Sequence, residues 1–179
     1  MKNIILIGAG RTGKTTFAKM IKSKYKEYNL LHGDMIKKSF QSFTNIDGNT
    51  LKNDPNYRKF VKDLFYNHIN LENENYIIDT VDIYPADITT EDRKNTIIIA
   101  FGCTKHTKEE LLNIWKNKDN KWLKNKTDEY LLQKAERAIA KSKFYEEECK
   151  KCDIEYIDTS YDRELLLEKL LLDLDDRIK

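Results

Sequence analysis

Between a short apolar run and an amphipathic stretch near the start of the chain lies Gly8-Ala9-Gly10-Arg11-Thr12-Gly13-Lys14-Thr15-Thr16. The run fits the spacing G-x-x-x-x-G-K-[ST], in which glycines let the backbone turn sharply and aim successive N–H groups at an anion. Lys14 would bring a compact positive charge to the β- and γ-phosphates of a nucleotide triphosphate, and the Thr15 hydroxyl would bind Mg²⁺. The flanks agree with this. Lys2 to Ile7 is apolar enough for a buried parallel strand. Phe17, Met20, Ile21 and Tyr25 recur at helical spacing, which puts bound phosphates at a helix N-terminus.

Four further apolar runs, at 29–32, 76–80, 96–101 and 153–158, alternate with amphipathic stretches. That alternation predicts an α/β fold in which a parallel sheet is flanked by helices. Helices are expected near 34–43 and 55–72, the second with Phe60, Leu64, Phe65, His68 and Leu71 on one face and Asp54-Pro55 at its start. Thr107 reads as an N-cap ahead of Glu109 and Glu110. A long helix follows from about 127 to 150, and a leucine-rich helix closes the chain. With two prolines, six glycines, no repeat and no low-complexity linker, residues 1–179 read as a single domain.

The charge is high but balanced, with 32 basic against 30 acidic residues and a net charge of +2, so nothing in it favours nucleic acid as a partner. No apolar run approaches the roughly 20 residues of a membrane span. The N-terminus enters a strand directly, without the look of a signal peptide, and a cytoplasmic protein is expected. Cys149 and Cys152 have C-x-x-C spacing. A zinc site would need a second pair, and Cys103 is the one cysteine left, so the pair reads as incidental.

On these motifs the chain resembles the small P-loop kinases of the nucleoside monophosphate kinase superfamily, adenylate kinase especially. Gly33-Asp34-Met35-Ile36-Lys37 stands where that family has Gly-Asp-Met-Leu-Arg, and Asp79-Thr80-Val81-Asp82-Ile83-Tyr84-Pro85 stands where it has Asp-Gly-Phe-Pro-Arg. Ala86 replaces the expected arginine. The resemblance implies a three-layer α/β/α fold with a five-stranded sheet in the order 2-3-1-4-5. It also implies acceptor-side helices over 34–72 and a small lid, for which the basic segment 116–126 is the candidate, a plain surface loop being the alternative.

Candidate site residues follow. Asp79 ends an apolar run and so falls at the C-terminal edge of the sheet, where ligands of open α/β folds bind. It is the metal candidate beside Thr15, with Asp82 as the alternative. Asp34, Lys37 and Asp82 are placed on the acceptor side. Asp34 could accept the proton of a hydroxyl acceptor or merely cap a helix. The resemblance makes Arg137 the lid-side arginine near the transferring phosphate, with Lys134, Lys141 and Lys143 as lesser candidates. It also makes Asp158-Thr159-Ser160 the loop beside the adenine. Arg11 is expected to face solvent or the lid, and Trp115 or Trp122 to stack on a base or pack against the sheet.

The function expected from these residues is transfer of the ATP γ-phosphate to a small-molecule acceptor, a nucleotide or nucleoside ahead of another hydroxyl metabolite. A nucleotide-dependent switch is the competing class. Asn117-Lys118-Asp119 lacks the spacing of the guanine motif Asn-Lys-x-Asp, which argues against GTP.

Overall fold

The computed structural model describes residues 2–71, 74–117, 123 and 125–178. In chain order the elements are β1 (Asn3–Gly8), α1 (Lys14–Lys24), β2 (Tyr28–His32), α2 (Gly33–Thr44), α3 (Gly48–Asn53), α4 (Pro55–Leu71), β3 (Asn75–Asp79), β4 (Thr96–Gly102), α5 (Lys108–Lys116), α6 (Asp128–Cys152), β5 (Glu155–Asp158) and α7 (Arg163–Ile178). Short 3₁₀ turns at Pro85–Asp87 and Glu91–Arg93 lie between β3 and β4. The strands are all parallel, in the order β2-β3-β1-β4-β5.

Alternation along β1 builds the three layers. Ile5 and Ile7 face one side, packing with Ile78, Ala100, Tyr57, Val61, Phe65 and Tyr145 beneath α4 and α6. Ile4 and Leu6 face the other, packing with Ile77, Ile99, Phe17, Ile21, Leu167 and Leu174 beneath α1 and α7. Each face of the sheet is covered, which is why its strands read as unbroken apolar runs rather than alternating ones. A smaller cluster of Cys103, Leu111, Trp115 and Ala135 joins α5 to α6.

The element boundaries fall within two residues of those expected, and the differences have local causes. Asp153 ends α6 in the left-handed conformation at φ 51°, and Ile154 N–H closes onto the Cys149 carbonyl at 3.0 Å, so β5 starts at Glu155 and not at 153. Thr107 caps α5 in a reciprocal capping box with Glu110. Asp34 does not cap α2; His32 holds that position and Asp34 is the helix's second residue, its side chain exposed. The expected contributions of His68 and Leu71 to the α4 face lie outside the described side chains. Most of the segment 116–126, including Lys118, Asp119 and Trp122, lies outside the described residues. Among the described residues no helix is long and apolar enough to cross a membrane.

Parallel pairing brings all five strand ends to one edge. His32 aligns with Asp79, Asp79 with Leu6, Gly8 with Phe101, and Gly102 with Asp158. Every candidate residue that follows a strand therefore arrives at this edge.

Candidate active site

The loop from Gly8 to Gly13 leaves β1 with φ 122° at Gly8, passes through φ 66° at Arg11, and enters α1 with φ 99° at Gly13. Left-handed residues of this kind are what backbone anion nests are built from. Gly10 differs from its neighbours: its φ is not positive, and a Cβ there would meet nothing within 4 Å. The loop is braced from inside by Thr12, whose hydroxyl donates to the Ala9 carbonyl at 2.8 Å. Thr159 braces it from outside, donating to the Thr12 carbonyl at 2.9 Å.

Lys14 is only 4% exposed, and its ammonium folds against its own loop, donating to the Ala9 carbonyl at 2.5 Å and the Gly8 carbonyl at 3.4 Å. Burial lowers its pKa to about 8, against the opposing pull of Asp79, Asp34, Cys103 and Asp82. Between pH 8 and the ordinary lysine value, the unfolded chain holds a proton that the folded one has released, so this group's cost to folding fades as pH rises through that window. Below pH 8 the cost is of order 3 kcal/mol. Lys14→Met is accordingly expected to be more stable than the parent at pH 7 in urea denaturation, with the gap closing by about pH 10.5. A gap independent of pH would contradict this assignment of the buried charge.

At the next position the Thr15 hydroxyl donates to Asp79 Oδ2 at 2.5 Å. His32 Nδ1 is 3.5 Å from the same carboxylate oxygen. Hydroxyl and carboxylate are the hard oxygen donors that Mg²⁺ accepts, and Mg²⁺ is commonly held by one or two protein groups plus phosphate oxygens and water. Among the described residues no cluster of three or more His, Cys, Asp or Glu offers a denser cage. The two aspartates left open by the sequence differ in their surroundings. Asp79 adjoins Thr15, whereas Asp82 is buried and paired with Lys37, Nζ to Oδ1 at 2.5 Å.

Asp82 lies in the loop that follows β3. Its Oδ2 is buried and has no hydrogen-bond partner among the described residues, and its N–H donates to Thr80 Oγ1 at 3.1 Å. Burial, with added repulsion from Asp82 and Asp34, pushes the Tyr57 phenol up. Arg58 Nε lies 3.3 Å from Asp87 Oδ2, and its guanidinium stacks 4.6 Å from the Tyr84 ring centre. Lys141 donates to the Val81 carbonyl at 3.0 Å and lies 5.1 Å over the same ring.

Lys141, a lesser candidate from sequence, thus helps to fix the loop after β3. Arg137 lies one helical turn before it on α6 and is exposed. Because α6 leads into the parallel strand β5, its N-terminal half lies toward the C-terminal edge of the sheet, and residues four apart share a face.

Arg11 is exposed and stacks 5.4 Å over Trp115, which packs in the cluster between α5 and α6. A cavity of about 220 Å³ follows the phosphate loop, lined by Arg11, Lys14, Thr15, Trp115 and Arg163 among others. A second, of about 380 Å³, shares Ile114 and Arg163 with it and extends to Thr159, Ser160 and His106. Sequence reasoning passed over His32, His106 and Arg163. Each is a lone side chain whose place depends on packing between distant loops, and no spacing rule marks it.

No protein-family model matches the chain, and no curated protein sequence matches it. Solved structures do. A shikimate kinase from Bacteroides thetaiotaomicron superposes with a TM-score of 0.59 at 14% identity, covering 99% of this chain and 98% of its own. A shikimate kinase from Acinetobacter baumannii in complex with shikimate gives 0.57 at 16% identity over 100% and 96%. Deoxyadenosine kinase from M. mycoides with bound dATP gives 0.53 at 14% identity over 98% and 100%. The chain has the fold of the small P-loop kinases.

Proposed function

We propose that this chain is an ATP- and Mg²⁺-dependent phosphotransferase that moves the γ-phosphate to a hydroxyl of a small acceptor. The observation that carries the reading is the meeting, at one sheet edge, of a buried Lys14 in a backbone nest, the Thr15–Asp79 pair, and carboxylates on the opposite side. The shared fold supports the same reaction class, since its matched structures include kinases of shikimate and deoxyadenosine.

In this reading residues 8–16 bind the triphosphate and Lys14 neutralises charge on the transferring group. Thr15 and Asp79 would hold Mg²⁺, which when bound offsets the negative charge of the phosphates. Asp34 takes the proton of the acceptor hydroxyl as the new oxygen–phosphorus bond forms and the bond to the ADP oxygen breaks. Arg137 approaches from α6 to stabilise charge spreading over the equatorial oxygens. The lid candidate, segment 116–126, lies mostly outside the described residues.

The choice between a hydroxyl and a phosphate acceptor rests on charge. Lys37 is already neutralised by Asp82, and Arg58 faces Asp87. An acceptor phosphate would meet Asp34 and Asp82 without the arginine forks that grip such a group elsewhere. A nucleoside or another small hydroxyl metabolite therefore fits better than a nucleotide.

The test is ADP release from Mg²⁺-ATP in the presence of separate nucleosides, nucleotides, sugars and hydroxy acids. The expected result is a rate that rises at least tenfold with one hydroxyl-bearing class. Slow release indifferent to every acceptor would overturn the kinase reading in favour of a switch or hydrolase.

A further inference from the structure

Parallel pairing of β2 with β3 sets His32 opposite Asp79 at the C-terminal edge of the sheet. The two strand ends are pressed together there, since a Cβ on Gly33 would lie 2.5 Å from Thr80 Oγ1. His32 holds the N-cap position of α2, yet its side chain caps no helix N–H. The imidazole instead turns Nδ1 toward Asp79 Oδ2 at 3.5 Å, and the side chain is 35% exposed, so the ring is open to solvent.

A nitrogen-to-oxygen separation of 3.5 Å is longer than an ordinary hydrogen bond. It suits two donors that share an ion, because groups about 2.1 Å from one metal, at cis angles, stand about 3.0–3.4 Å apart. The Thr15 hydroxyl completes the set. It donates its proton to the same Asp79 oxygen at 2.5 Å, which leaves its lone pairs for a cation. The first turn of α1, the end of β2 and the end of β3 thus contribute one donor each. Phosphate oxygens and water would fill the other positions around such an ion. A nitrogen donor changes which ion is preferred. Mg²⁺ takes oxygen ligands and gains little from imidazole, whereas the affinity of mixed nitrogen–oxygen sites rises from Mn²⁺ toward Co²⁺.

We infer that His32 Nδ1 is a direct ligand of the phosphate-bound metal, beside Thr15 and Asp79, and that it biases this site toward first-row transition ions over Mg²⁺. The inference rests on the reading of Thr15 and Asp79 as the metal pair and deepens it.

The experiment binds the tripolyphosphate complexes of Mn²⁺, Co²⁺ and Mg²⁺ to the parent, His32→Ala and His32→Asn at pH 8. Tripolyphosphate carries no nitrogen, so any nitrogen on the metal comes from the protein. Pulsed EPR of the bound Mn²⁺ complex should show the coupling of a directly bonded imidazole nitrogen in the parent. In protein carrying ¹⁵N-labelled histidine that signal should change to the ¹⁵N pattern, and both variants should lack it. Titration calorimetry then gives the dissociation constants of the Co²⁺ and Mg²⁺ complexes. His32→Ala is expected to weaken the Co²⁺ complex about tenfold more than the Mg²⁺ complex. His32→Asn, with an amide oxygen in place of Nδ1, should show the same loss of preference. A parent spectrum without imidazole coupling, or an unchanged preference in either variant, overturns the role of His32 while leaving the phosphate site standing. Failure of the parent to bind any of the three complexes overturns both.

Discussion

Lys14→Met is expected to cut phosphoryl transfer by about 10²–10³-fold, because a pre-positioned charge aimed at a developing anion is worth that much in a water-poor site. The same change should not unfold the protein. The Lys14 ammonium is buried against two carbonyls of its own loop, and burial has already lowered its pKa to about 8. Replacing it with an apolar chain of similar length removes a charge that the fold carries at a cost. Activity lost with stability gained is the mark of a group held for chemistry. Activity and melting temperature falling together would instead make Lys14 a structural residue.

Gly8→Ala is expected to damage the fold itself. Its φ of 122° is strained for any other residue, and a Cβ there would lie 2.1 Å from the Phe101 carbonyl oxygen and 2.7 Å from the Phe101 nitrogen. Those atoms belong to β4, whose pairing with β1 runs through this very position, so relief requires separating two central strands. Strain and overpacking together amount to about 3–5 kcal/mol, a large share of the roughly 5–15 kcal/mol that holds a domain together. The melting temperature should drop by about 10 °C or more, or the soluble protein should be lost. Gly10→Ala is the control for stability, since a Cβ at that position points into open space. Equal effects at the two positions would contradict the close approach of β1 and β4.

The contrast between the two glycines shows where the sequence was readable. The phosphate loop is contiguous, so its residue spacing exposed it directly, yet which of its glycines the backbone requires depends on a strand nearly a hundred residues away. The strands were legible because both faces of the sheet are covered, leaving isoleucine-rich runs such as Thr96 to Phe101. Helix α3 was missed because Gly48–Asn53 is short and mostly polar, with Leu51 as its one buried apolar anchor. The position of Asp79 at the end of β3 was legible because an apolar run leads up to it. Its neighbour Asp82 could not be told apart from it until tertiary packing paired Asp82 with Lys37. His106 carried no signal at all, since its burial arises from the joining of the β4–α5 and β5–α7 loops.

The fate of the γ-phosphorus of ATP tests the central claim most directly. With the acceptor that most accelerates ADP release, ³¹P NMR should show that phosphorus appearing as a phosphate ester of the acceptor in step with ADP, and Lys14→Met should form almost none. Its appearance as inorganic phosphate at the same rate with and without acceptor would contradict the account.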